Sequence, residues 1–303
     1  MKTLKRILAV IFTVIGFTST AQQEPQFTQY MDNQLYINPA YAGSRGTLNI
    51  GGIHRQQWTG FKGAPMTQTV FAHSPLTYQS VGLGGSIIHD RVGPMNQTWI
   101  NIDASYSLKF KNEGKLAFGL KGGMNLINGR FSELETTTPG DETMVSNYVN
   151  RVLPNIGGGI MYHSKTWFVG VSVPKILQQD GVSLNTMTEQ RHYYLIAGGY
   201  LTIAEKVKLR PSTLLKITEN APLAWDMTMA FIFNDKFWIG ANYRLLESAG
   251  GFFQFQVSNK FKIGYAFDIS TNALARHNFG THEISLGYDL VSKKGSLSAP
   301  RFF

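Results

Sequence analysis

The 303-residue chain contains no cysteine. Disulfide staples, thiolate nucleophiles, cysteine-ligated metal sites and a lipid anchor on a processed N-terminal cysteine are therefore excluded. Charge is sparse as well, at 16% of residues, where a soluble domain of this size carries about a quarter. Long apolar runs are missing too: the most sustained, residues 7–17, falls short of the roughly 20 residues that a membrane-spanning helix needs. No Gly-x-Ser-x-Gly elbow, His-Glu-x-x-His helix or Walker sequence is present. The seven histidines, His54, His73, His89, His163, His192, His277 and His282, stand singly and form no metal-ligand spacing. A hydrolase built on neighbours such as His73 and Ser74 would also need a third member and an oxyanion donor, and neither has a sequence signal. The chain is thus read as a non-enzyme without metal or cofactor. Its positive charges are scattered, with no basic stripe of interleaved aromatics, so nucleic acid is not an expected partner.

What is present begins with a secretory layout: the cationic Met1-Lys2-Thr3-Leu4-Lys5-Arg6, the apolar run, and the small residues Ser19-Thr20-Ala21. Residues 1–21 read as a signal peptide and the mature chain as starting at Gln22. Losing Lys2, Lys5 and Arg6 lowers the formal charge from +9 to +6. Beyond it, apolar and polar residues alternate with period 2, which separates two faces of a sheet. From Thr98 one row reads Ile100, Ile102, Ala104, Tyr106, Leu108, Phe110 and the other Asn101, Asp103, Ser105, Ser107, Lys109. From Lys115 the rows are Leu116, Phe118, Leu120, Met124, Leu126 against Ala117, Gly119, Lys121, Gly123, Asn125.

Such runs predict about fourteen antiparallel strands, near residues 47–56, 67–75, 80–89, 98–110, 115–126, 155–163, 166–173, 191–203, 206–217, 223–233, 236–245, 250–257, 260–269 and 280–291. Tight connections, among them 111–114, 164–165, 204–205, 234–235 and 258–259, alternate with longer ones at 91–97, 127–154, 174–190 and 270–279. Short turns on one side and longer loops on the other are the plan of a transmembrane outer-membrane β-barrel. Lipid offers no hydrogen bonds, so the sheet must close on itself. A soluble sandwich would carry polar outward rows, unlike Leu223, Trp225, Met227, Met229, Phe231, Phe233.

Trp99, Trp167 and Trp238, near strand ends, are expected at the membrane interfaces. Asp103, Lys121, Asp226, Arg244, Asp268, Glu283 and Asp289 fall on lumen rows. They either line a charged channel or, the reading preferred, pair with one another and with loops that plug the barrel. Glycine runs 82–85 and 157–159 lie inside strand patterns, so they suit bending or close backbone approach better than phosphate binding. The expected organisation is a signal peptide (1–21), an N-terminal periplasmic or plug segment (22–45), the barrel (46–291) and a tail (292–303). The fold alone would equally allow a passive porin or a hydrophobic-solute transporter.

The segment ahead of the barrel is unlike a flexible leader. It reads Gln26-Phe27-Thr28-Gln29-Tyr30-Met31-Asp32-Asn33 and then Tyr36-Ile37-Asn38-Pro39-Ala40-Tyr41-Ala42-Gly43. This run resembles the N-terminal hallmark of the PorP/SprF family, membrane proteins of the type IX secretion system in the Bacteroidetes group. The likeness continues through Arg55-Gln56-Gln57-Trp58, Gly63-Ala64-Pro65, Gly82-Leu83-Gly84 and the ending Pro300-Arg301-Phe302-Phe303. It implies an outer-membrane barrel in protein secretion, gliding motility or adhesin anchoring. The implied partners are a secreted cargo protein or adhesin, held through its C-terminal domain, and for some members a periplasmic peptidoglycan-binding protein. The residues it singles out, as structural or partner contacts, are Phe27, Gln29, Tyr30, Asn38, Pro39, Ala40, Tyr41, Gly43 and Trp58. Phe27 to Gly43 is expected on or in the periplasmic mouth, with Asn38 and Pro39 making a turn, or equally as an anchor for the first strand, and cargo contact in loops 127–154 and 174–190.

Overall fold

The structure, a computed structural model, describes residues 24–76, 80–111, 113–130, 148–178, 190–219 and 221–290. The signal peptide and the tail expected from the sequence lie outside these residues. The strands are β1 (Leu48–Gln56), β2 (Met66–Pro75), β3 (Val81–Val92), β4 (Met95–Lys109), β5 (Lys115–Gly129), β6 (Tyr148–His163), β7 (Trp167–Val173) and β8 (His192–Gly199). They continue as β9 (Leu201–Ala204), β10 (Val207–Thr218), β11 (Ala224–Phe233), β12 (Phe237–Arg244), β13 (Ser248–Gln256), β14 (Phe261–Ser270) and β15 (Thr281–Leu290). Each pairs antiparallel with its neighbours, and β15 pairs with β1, so the sheet closes as a fourteen-strand barrel. The fifteenth element, β9, continues β8 beyond Tyr200 and pairs with β10 across a register shift at Val207 and Lys208. The strand expected at 191–203 is therefore broken into two.

Period-2 alternation does what the polar and apolar rows predict. Ile102, Tyr106, Leu108, Phe118, Leu120, Met229, Phe231 and Phe233 are exposed on the outer face, while Asp103, Ser105, Ala117, Lys121 and Asp226 are buried inside. An apolar exterior that would be costly in water is the stable arrangement in hydrocarbon. At Asn234 and Asp235 both residues have positive φ, 51° and 54°, the backbone that a tight hairpin turn requires.

Three expectations are corrected. The connection expected as a longer loop at 91–97 is a two-residue turn, Gly93-Pro94, because β3 runs to Val92 and β4 starts at Met95. Strands β5 and β6 likewise extend into the loop expected at 127–154, and of the remaining connection residues 131–147 lie outside the described ones. Trp99 and Trp238 are not interface residues. They occupy inward positions, 6% and 1% exposed, and each ring lies beneath a lysine, Lys175 at 4.4 Å and Lys262 at 5.6 Å from the ring centre. Cation–π attraction and lumen packing hold them there. Trp167 does face outward, 47% exposed.

The wall is uneven. Strands β4 and β5 have 15 residues and β6 has 16, whereas β7 has 7 and β8 has 8. Spanning a bilayer takes about 9–11 residues per strand, so β4 to β6 rise beyond it on the side of the longer loops. That side is called the loop end below, and the opposite side the tight-turn end.

Candidate functional site

Residues 24–45 lie inside the barrel, so the lumen is a packed core. Phe27, Tyr30, Met31, Leu35, Tyr36, Ile37, Ala40, Tyr41 and Ala42 form one buried cluster with wall residues that include Ile53, Phe71, Ile88, Trp99, Met161, Phe168 and Ile196. The chain folds there as short pieces: 3-10 turns at Tyr30–Asp32 and Pro39–Tyr41, and a one-turn helix at Gln34–Ile37. None of these pieces is long enough to be stable alone, so the wall must supply the partners that their backbone lacks.

Asn38 organises the second half of the plug. Its backbone is extended and its side chain accepts from the Ala40 amide at 2.9 Å, capping the turn that Pro39 begins. The same side chain donates to the carbonyls of Ile160 and Val171, at 3.1 and 3.2 Å, which face each other across β6 and β7. Glycines make the approach possible. A Cβ at Gly119 would meet the backbone of Pro39 and Ala40, and one at Gly159 the Asn38 side chain. A Cβ at Gly82 would meet the Ala42 carbonyl. Gly43, at φ +70°, passes close over Gly82 and Pro75. The plug's free carbonyls find donors on the wall: Leu35 takes Lys121 at 3.0 Å, Ile37 takes Ser172 at 2.7 Å and Ala42 takes Ser105 at 2.7 Å. Gly43 donates its amide to His73 Nδ1 at 3.1 Å, and Tyr41 meets the same ring edge-on.

Charge holds the first half. Glu283 accepts from the amides of Thr28 and Gln29, at 2.9 and 2.8 Å. Arg55 reaches Thr28 Oγ1 at 2.8 Å, Glu283 at 3.0 Å and Asp268 at 3.1 Å, and Thr28 Oγ1 donates to Asp268. Gln29 Oε1 accepts from Ser285 at 2.8 Å and Gln254 at 3.0 Å, while Asp32 is paired with Lys262 and Gln254. Tyr30 donates its hydroxyl to Ser212 at 2.9 Å.

The two extremes of the segment are tied separately. At the loop end, Glu24 meets Lys175 at 2.9 Å, Tyr194 OH at 2.7 Å, Tyr36 OH at 3.1 Å and His192 Nδ1 at 3.6 Å. Burial would raise its carboxyl, yet Lys175 and His192, with hydrogen bonds from Lys175 and Tyr194, hold it well below the usual glutamate value. At the tight-turn end, Arg45 pairs with Asp289 at 3.0 Å, which also accepts from Asn49 at 2.8 Å.

Of the residues expected at the site, Phe27, Gln29, Tyr30, Asn38, Pro39, Ala40, Tyr41 and Gly43 are brought together in the plug. Trp58 is not: it sits half-buried in the first loop with φ 42°, its amide donating to Thr281 Oγ1 at 3.3 Å. The lumen charges pair as the plugging alternative requires, Asp103 with Lys121 at 3.2 Å and Asp226 with Arg244 at 2.7 Å, besides Arg55 and Arg45 with their acids. Glu24, Arg45, Arg55, Lys175 and Lys262 are not among the residues expected at the site. Arg55 and Lys262 carry a charge on an inward row, which is a signal. Glu24, Arg45 and Lys175 lie outside the strands, where periodicity says nothing. His73 and Ser74, as adjacent strand residues, face opposite sides of the wall; His73 serves the plug and Ser74 donates to the Pro75 carbonyl at 3.1 Å.

A closed antiparallel barrel with an apolar exterior and a charged, occupied lumen is a membrane barrel of the outer-membrane type. The model of the family described as type IX secretion system membrane protein PorP/SprF matches residues 19–288. The chain belongs to that family. No curated protein matches it. Among solved structures it is similar to the Ralstonia pickettii toluene transporter TbuX, at 8% identity and TM-score 0.49, covering 84% of this chain and 92% of that one. It is also similar to the Acinetobacter baumannii outer membrane protein Omp33, at 9% identity and TM-score 0.44 over 82% and 99% of the two chains. A Pseudomonas aeruginosa FadL homologue stands at 11% and 0.43 over 81% and 89%.

Proposed function

We propose that this protein is a plugged, non-enzymatic barrel of type IX secretion that binds or anchors secreted cargo at the cell surface. The cargo is a protein such as an adhesin, held through its C-terminal domain. The observation that carries the reading is the occupied lumen. A segment fixed to the wall by Asn38, by Arg55 with its two acids and by Glu24 leaves a rigid scaffold with its rim available for docking. A static scaffold that presents loops is how binding surfaces are commonly built. Gliding and a periplasmic peptidoglycan-binding partner belong to the same proposal and rest on family membership, while processing of the signal peptide rests on the secretory layout of residues 1–21.

The test is a mild-detergent pull-down of the tagged protein from its own outer membrane, with copurifying proteins identified by mass spectrometry. The expected result is a large surface protein retained through its C-terminal domain and lost when loops 130–147 and 174–190 are exchanged for those of a relative. A barrel that comes down alone and conducts ions in planar bilayers would overturn the reading in favour of a porin.

A further inference from the structure

We propose that the processed amino terminus of this chain lies at the loop end of the barrel, on the side opposite the tight turns. The direction of the plug carries this. Gly43 lies against Pro75 and Gly82, at the tight-turn ends of β2 and β3. Going back along the chain, Thr28 and Gln29 bind Glu283, the third residue of β15 counted from its loop end, and Arg55, the last but one of β1. Glu24 then reaches Lys175, two residues past the loop end of β7, and His192, the first residue of β8. The two ends of the segment therefore lie on opposite sides of the barrel, Gly43 at the tight-turn end and Glu24 at the loop-end rim.

Glu24 is anchored there and does not merely pass. Its carboxylate has four polar partners from three places in the chain, Tyr36, Lys175, and His192 with Tyr194 on β8, and it is almost fully buried among them. Counting from a cleavage after Ala21, only Gln22 and Gln23 precede it. Two residues reach at most about 7 Å, while the ten residues of β15 extend on the order of 30 Å. An amine so tethered cannot return to the tight-turn end. The inference rests on residues 1–21 being a signal peptide, and the test separates that premise from the geometry.

The absence of native cysteine makes the experiment direct. Gln23→Cys, Thr138→Cys in the loop between β5 and β6, and Lys236→Cys in the turn between β11 and β12 are each reacted in intact cells with a membrane-impermeant maleimide. The mature N-terminus of each is read by mass spectrometry. The expected outcome is labelling of Gln23→Cys within a few-fold of Thr138→Cys and at least tenfold faster than Lys236→Cys. Labelling that follows Lys236→Cys, exposed only after the membrane is opened, would overturn the geometry. A mature chain that starts beyond Glu24 would overturn the proposal through its premise instead.

Discussion

The two halves of the plug meet the two halves of the barrel by different chemistry. Residues 38–43 lie on β2 to β7, where Gly82, Gly119, Gly159 and Gly170 remove the side chains that would otherwise occupy the space. Residues 28–32 lie against β1, β10 and β13 to β15, where Arg55, Asp268, Glu283, Gln254 and Lys262 present charge and hydrogen bonds. One contact is a fit of backbone to backbone, the other a set of ion pairs out of water. Shape complementarity tolerates no added atom but is indifferent to salt. A buried ion pair depends on charge and does not tolerate the loss of one member.

That contrast can be broken most severely at Arg55. Arg55→Ala leaves Asp268 and Glu283 buried without their cation and is expected to cost about 3–5 kcal/mol, read as a fall in the thermal unfolding midpoint in detergent; an unchanged midpoint would mean that the acids have another counter-charge. Gly119→Ala tests the other half. Its Cβ would collide with Pro39 and Ala40, so a loss of about 1–3 kcal/mol and new protease cleavage within 24–45 are expected. The effect should be the same at low and high salt, and a salt-dependent one would contradict a purely steric contact.

Acid should sharpen the comparison. Glu24 is held below its ordinary value by Lys175 and His192, which act against the burial that would raise it. The stability this contributes is present above the unfolded value, about 4.3, and is lost as pH falls from there through the folded value. The loop-end anchor should therefore be unaffected between pH 8 and 5 and loosen in stronger acid, followed by hydrogen exchange at residues 24–27. Exchange that rises already near pH 6 would count against the clamp. Smallest of all should be Lys165→Ala, at an exposed ion pair with Glu113 on the tight-turn rim, with a change under about 1 kcal/mol. A larger loss would mean that the rim has a structural duty that the outer surface does not show.

The barrel itself was legible in the sequence because its rules are local. Alternation of Ile100, Ile102 and Tyr106 with Asn101, Asp103 and Ser105 follows from the pleat of a single strand, and turns such as Asn234-Asp235 from the conformations of two residues. The expected long connection at 91–97 failed for the opposite reason, since strand length depends on the neighbour that a strand pairs with. The motif Asn38-Pro39-Ala40-Tyr41-Ala42-Gly43 could be recognised, but its use could not be derived. Its partners, Gly82, Gly119, Gly159, Gly170 and His73, come from five strands, and only closure of the sheet puts them around one point. The sequence by itself determined a strand-built chain with an apolar outer face. The tertiary structure decided that the lumen is filled, in which direction, and by which residues, because a contact between distant strands is a property of the closed barrel and of no single segment.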